Sequence, residues 1–203
     1  MRTCLIVGNG PSLKDVPNTF RAKYPTFGSN RCYLKFIPDV YACVNPLVVE
    51  QFKHEINEMD CLKYIDSNSA KHIINSIPVI DRRKPVFSGM KPFVGAAYTV
   101  TSVLLQIAFW HGFRRVGLVG VDHRYSFTGK PNEQHLAEAI DPNHFDPRYF
   151  SGVQWNNPDL ERSELAYRLA KEAFTSAGGE IINLTTNSDL DVFPFDDWRK
   201  WNI

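Results

Sequence analysis

Residues 4–14 read Cys4-Leu5-Ile6-Val7-Gly8-Asn9-Gly10-Pro11-Ser12-Leu13-Lys14, and this stretch decides the fold. Four apolar residues closed by a glycine predict a strand buried on both faces, as in a parallel sheet. The Gly-Asn-Gly-Pro-Ser turn hands the chain to a helix expected to start near Pro11 or Ser12. A strand, a glycine-rich turn and a helix start together predict an anion site. Glycine permits close backbone approach, and the free N–H groups of a helix start favour negative charge. The stretch is not G-x-G-x-x-G, because Ser12 and Leu13 follow the second glycine. It is not a Walker A loop either, because no Gly-Lys-Ser/Thr follows.

Outward from this stretch, strands and helices alternate. Thr26 to Ser29 and Val40 to Val44 read as further buried strands, ending at Asn30 and Asn45. Pro46 to Glu58 is expected to be helical, with Leu62 to Ile65 and Ile77 to Ile80 as weaker strands. Ala96 to His111 is apolar nearly all round and predicts a helix buried against the sheet, with Gly112 just past its end. Val116 to Val119 follows as a strand that runs into Gly120-Val121-Asp122. Asp159 to Ala177 is amphipathic, and Glu180 to Asn183 reads as the last strand. The expected fold is α/β: a Rossmann-like, doubly wound, mostly parallel sheet with helices on both faces. Residues 1–203 are expected to form one domain. Within it, 124–156 has no period and is rich in Pro, Asn, His and aromatics, the make-up of a lid or active-site loop.

Composition narrows the partners. Formal net charge is +1, so no global field draws the chain to nucleic acid or an anionic membrane. Arg82-Arg83-Lys84 and Arg114-Arg115 read as solvated surface. The longest apolar run, Val100 to Trp110, is too short to span a bilayer, and the N-terminal run is too short for a signal peptide. Cys4, Cys32, Cys43 and Cys61 show no metal spacing and read as reduced packing residues of a cytoplasmic protein. Asn183-Leu184-Thr185 fits a glycosylation sequon with nothing else to support secretion.

Ligands in open α/β sheets sit beyond the carboxyl ends of the strands. The polar residues just after the expected strands are Asn9, Ser12, Asn30, Asn45, Asp122 and Asn183. Each asparagine also suits a simple turn. As a group they predict a binding rim, because asparagine favours neither strands nor cores. His123 reads equally as a site residue or a loop residue. Asp122, Asp141 and Asp146 are candidate Mg²⁺ ligands through their carboxylates.

Leu5 to Lys14, with Gly28-Ser29-Asn30 and Val44-Asn45-Pro46, resembles the opening of the bacterial CMP-sialyltransferases of glycosyltransferase family 42. Gly112 to Asp122 resembles their later strand and its Gly-x-Asp ending. The same framework resembles the MptE-like domain family, named for a 6-hydroxymethyl-dihydropterin pyrophosphokinase. His144 to Phe150, Ala166 to Lys171, Ile182 to Thr185 and Val192 to Pro194 look closer to that second family. The resemblance implies a nucleotide-binding set of Gly8, Asn9, Gly10, Ser12, Asn30 and Asn45, with Asp122 at the site. It also implies a histidine base and donor-phosphate tyrosines in the long segment, for which His144, Tyr125 and Tyr149 are the candidates. The sialyltransferases carry Thr-Ser-Gly where this chain has Thr99-Val100-Thr101.

These readings imply a nucleotide-dependent transferase. The first form is a glycosyltransferase with a CMP-sialic-acid-like donor and a small-molecule or glycan acceptor. His144 and Asp122 are then the catalytic candidates, and no cofactor is required. The second is an MptE-like pyrophosphokinase that moves diphosphate from ATP to a hydroxymethyl pterin-like substrate, with Mg²⁺. The third is a non-catalytic nucleotide- or sugar-binding module. An oligomer is compatible with all three.

Overall fold

The computed structural model describes residues 1–82, 84–96, 98–137 and 140–202. Arg83 of the basic run, Ala97 of the expected helix and residues 138–139 of the expected lid lie outside the described residues.

The strands are β1 (Thr3–Val7), β2 (Thr26–Ser29), β3 (Val40–Cys43), β4 (Leu62–Asp66), β5 (Ser76–Asp81), β6 (Phe93–Val94), β7 (Arg115–Val119) and β10 (Glu180–Asn183). They form one eight-stranded sheet in the order β10-β7-β1-β2-β3-β4-β5-β6, every pair parallel. A separate antiparallel pair, β8 (Gln134–Leu136) and β9 (Gln154–Asn156), stands within the long segment. The helices are α1 (Asn18–Arg21), α2 (Pro46–Glu58), α3 (Val100–Trp110) and α4 (Leu160–Ser176).

The sequence of β1 explains the layering. Alternate strand residues face opposite sides. Cys4 and Ile6 pack into a core with α3 and α4 through Leu104, Ile107, Ala170 and Phe174. Leu5 and Val7 pack into a second core with Val49, Phe52 and Ile56 of α2. All four β1 residues are fully buried, so the apolar run serves both faces at once.

The chain leaves β1, winds outward to β6, then crosses back to place β7 on the other side of β1. The reversal opens a crevice beyond the ends of β1 and β7, which is where such sheets bind ligands. Asn45 caps α2 by accepting from the Leu47 N–H at 3.0 Å, and Asp159 caps α4 by accepting from the Arg162 N–H at 3.1 Å. Gly112 takes φ +79° after α3, as expected for a helix-ending glycine.

Three elements differ from expectation. The helix expected after the glycine turn is a 3₁₀ turn, Pro11–Asp15, followed by the four-residue α1. α3 starts at Val100 rather than Ala96, because Phe93–Val94 forms the edge strand β6 just before it. The long segment is folded rather than open, carrying β8 and β9 and buried aromatics. The four cysteines are free thiols, three of them buried. Among the described residues, no helix is long and apolar enough to cross a membrane.

Candidate functional site

A cleft of about 510 Å³ opens over the carboxyl ends of the strands, within the usual range for small-molecule sites. Asn9, Asn30, Asn45 and Asp122 all line it, so the residues that follow β1, β2, β3 and β7 do converge. The next two strand ends add Asp66 and Asp81. Asn183 does not join them. It is fully buried, donating from its amide to the Leu190 carbonyl and accepting from the Thr185 N–H. That burial also disposes of the sequon.

The glycine turn is tied by hydrogen bonds to the end of β7 and the loop after it. The Gly8 N–H donates to the Val119 carbonyl and the Gly10 N–H to the Gly120 carbonyl, both at 2.8 Å. The Ser12 N–H donates to Asp122 Oδ1 at 3.1 Å and its hydroxyl to Asp122 Oδ2 at 2.8 Å. The Leu13 N–H bonds the Gly10 carbonyl. These donors bond the protein, while Gly8, Asn9 and Gly10 themselves line the cleft. A Cβ at Gly8 would collide with the Gly120 carbonyl, and one at Gly10 with the Asp122 carboxylate. The glycines are there to let β1 and β7 approach.

This corrects one residue assignment. Ser12 is bonded twice to Asp122 and does not line the cleft. Asp122 lines the cleft and accepts from Ser12 with both oxygens, tying the loop after β7 to the loop after β1. Burial pushes its carboxyl above the ordinary range, against the hydrogen bonds from Ser12.

Another helix start faces the cleft. Tyr98, Thr99, Val100 and Thr101 line it where α3 begins. Thr99 stands at the N-cap without a side-chain hydrogen bond to the helix, its hydroxyl lying 3.1 Å from the Tyr167 hydroxyl. The first-turn N–H groups of a helix have no partner within it. α3, eleven residues long, therefore turns an electropositive end to this cleft, and so does α2, whose Asn45 and Pro46 also line it.

His144 is held over the strand ends. The Phe145 N–H donates to the Asn9 carbonyl at 2.9 Å, tying the long segment to the glycine turn. Asp141 Oδ2 lies 2.8 Å from His144 Nδ1 and accepts from the Phe150 N–H at 3.2 Å. Asp141 Oδ1 accepts from the Asn143 N–H at 2.8 Å. Burial pushes the Asp141 carboxyl up, but the bonds from His144, Asn143 and Phe150 outweigh it and hold it below the ordinary range. A carboxylate only accepts, so His144 Nδ1 carries the proton of this bond. Nε2 has no partner among the described residues, and His144 lines the cleft.

Tyr149 supports this histidine from behind. Its ring stacks on His144 with centroids 4.0 Å apart and planes 2° from parallel. The Tyr149 hydroxyl accepts from the Arg31 N–H at 2.9 Å, and Tyr149 is fully buried. It is not a phosphate contact, which corrects its assignment. The Arg31 guanidinium donates to the carbonyls of Arg148 and Tyr149 and lies over the Phe52 ring. Tyr125 does line the cleft, beside His123 and Arg124.

The proposed Mg²⁺ ligands do not gather. Asp122 is bonded to Ser12, Asp141 to His144, and Asp146 to Arg148 at 2.7 Å. Among the described residues, no group of three or more His, Cys, Asp or Glu is arranged to hold a metal.

Sequence reasoning missed one wall of the cleft. Asn132, Trp155, Asn156 and Asn157 line it, brought there by β8, β9 and the turn before α4. Each strand of that pair is three residues long, too short to show a period. Asp66 and Asp81 obey the same strand-end rule as Asn45 and were within its reach.

No family model matches the chain, and no curated protein does. One solved fold does. The chain is similar to the Maf glycosyltransferase of Magnetospirillum magneticum AMB-1, at 15% identity and a TM-score of 0.60. The match covers 99% of this chain and 34% of that one, so the chain spans about a third of the neighbour's length. At that identity the likeness establishes a shared fold.

Proposed function

We propose that the chain is a glycosyltransferase domain that binds a nucleotide-activated sugar in the strand-end cleft. The observation that carries this reading is the His144–Asp141 pair, 2.8 Å apart, facing the same cleft as Asn9, Asn30 and Asn45. The similarity in fold to a glycosyltransferase is consistent with it.

In this reading the asparagines hold the nucleoside. The donor phosphate meets the first turn of α3 and the Tyr125 hydroxyl, where preorganised donors offset developing charge. The acceptor hydroxyl attacks the anomeric carbon, and the bond from that carbon to the phosphate oxygen breaks. The acceptor proton passes to His144 Nε2, and Asp141 stabilises the resulting imidazolium through Nδ1–H. The nucleotide leaves with the bonding electron pair. A CMP-sialic-acid-like donor is the first to test, because Leu5 to Lys14 resembles the CMP-sialyltransferases. The diphosphotransfer reading needs carboxylates gathered on Mg²⁺, and those three are each engaged elsewhere.

A thermal-shift panel of CMP, CDP, UDP, GDP, ATP and AMP, with and without Mg²⁺, tests this. The reading expects a nucleotide, CMP first, to raise Tm without Mg²⁺. Stabilisation by ATP alone, and only with Mg²⁺, would overturn it in favour of diphosphotransfer.

A further inference from the structure

One wall of the cleft has an unused acceptor. Asn157 is 2% exposed and lines the cleft. Its side-chain amide donates to the Thr128 carbonyl at 2.7 Å and the Lys130 carbonyl at 3.0 Å. Its backbone N–H donates to the Glu133 carbonyl at 2.9 Å, and its own carbonyl accepts from the Asn132 N–H at 3.0 Å. Every polar group of Asn157 is thus satisfied except Oδ1, which is buried with no partner among the described residues. Its neighbours fix the orientation, because a flipped amide would set its oxygen against two carbonyls. Buried acceptors are normally paired, and one left unpaired on a residue that lines the cleft asks for a donor.

Trp155 stands two residues away on β9. Its indole N–H is committed to His135 Nε2, so what it offers the cleft is an apolar face. Its ring lies 6.1 Å from that of Phe150 and 6.4 Å from that of His144. Gln51 of α2 fixes β9 in place, accepting from the Gln154 N–H at 3.1 Å and donating to its carbonyl at 3.0 Å. Asn132 and Asn156 flank the wall.

An unpaired hydrogen-bond acceptor beside an aromatic face, with further amides around it, suits a sugar ring. Hydroxyls donate to the amide oxygen and the C–H face lies on the indole. We infer that this wall is the acceptor subsite, taking a pyranose with Asn157 Oδ1 as hydroxyl acceptor and Trp155 as platform. The inference rests on the glycosyltransferase reading for the word acceptor, since a ring on Trp155 lies beside His144. A nucleobase would also stack and donate an amino group, but in that reading the base occupies the asparagine rim.

Saturation-transfer NMR with methyl pyranosides of galactose, glucose and N-acetylglucosamine tests this on the wild-type chain, alone and with saturating CMP. The inference expects a glycoside signal that persists with CMP present. It expects that signal to fall at least tenfold in Asn157→Ala and in Trp155→Ala, with CMP binding unchanged. Absence of any glycoside signal, or its displacement by CMP, would overturn it without using a variant. Glycoside binding by a chain that binds no nucleotide would support the subsite and overturn the glycosyltransferase reading. Nucleotide binding without glycoside binding would overturn the subsite alone.

Discussion

The Ser12 hydroxyl donates to Asp122 across 2.8 Å, joining the loop after β1 to the loop after β7. The two residues are 110 apart in sequence, and their bond ties the two loops together where the sheet order reverses. Asp122→Ala removes the acceptor for the Ser12 N–H and hydroxyl together. Urea denaturation should show a loss of about 1–3 kcal/mol, the usual cost of stranding part-buried donors. Gly10→Ala should cost a similar amount, about 1–3 kcal/mol, by forcing a methyl group against the same carboxylate. An unchanged midpoint in both variants would mean the loop is held by something else.

Asp141 gives a pH signature. Its folded carboxyl sits below its ordinary value of 3.8, so the native state binds its proton more weakly than the unfolded state. Its contribution is therefore full above that ordinary value and is lost as pH falls through the depressed folded value. The stability advantage of the wild type over Asp141→Asn should therefore shrink as pH falls below that ordinary carboxylate value. An advantage that keeps growing below it would contradict the assignment.

Arg31 clasps the segment that carries His144. Arg31→Met removes the guanidinium bonds to the Arg148 and Tyr149 carbonyls while leaving the backbone bond to the Tyr149 hydroxyl. Hydrogen exchange of the amides at Phe145, Tyr149 and Phe150 should quicken, while β1 and β7 stay protected. Uniform loss of protection across the sheet would show that Arg31 serves the whole fold.

The asparagine rim carries a binding prediction. Asn9 donates its amide to the Ser29 carbonyl and hydroxyl, at 3.3 and 3.2 Å, and its buried Oδ1 has no partner among the described residues. Asn9→Ala and Asn30→Ala should each weaken nucleotide binding by about 1–3 kcal/mol in calorimetry. Unchanged affinity in both would remove the rim from the donor site.

The fold was legible because β1 has a signature that depends on few other residues. An unbroken apolar run ended by glycine has little alternative to a two-faced parallel strand. The rim was legible for a related reason, since Asn9, Asn30 and Asn45 end such runs. The wall formed by Trp155, Asn156 and Asn157 was hidden because the Gln51 and Asn132 contacts that place it are long-range. The glycine turn shows what sequence does not separate. Its glycines answer a close approach of two backbones, and sequence does not distinguish that from the approach of a phosphate. Asp122 was found at the site, but its engagement with Ser12 became visible only across the sheet.

The sharpest measurement is nucleotide release from CMP-sialic acid and other nucleotide sugars by the wild type and by His144→Asn. The asparagine side chain retains an N–H for Asp141, so the segment stays anchored while the Nε2 base is lost. The account predicts release by the wild type, a fall of about 10²–10⁴-fold in the variant, and the same nucleotide affinity and thermal midpoint in both. Equal rates in the two proteins, or no release from any nucleotide sugar, would contradict it.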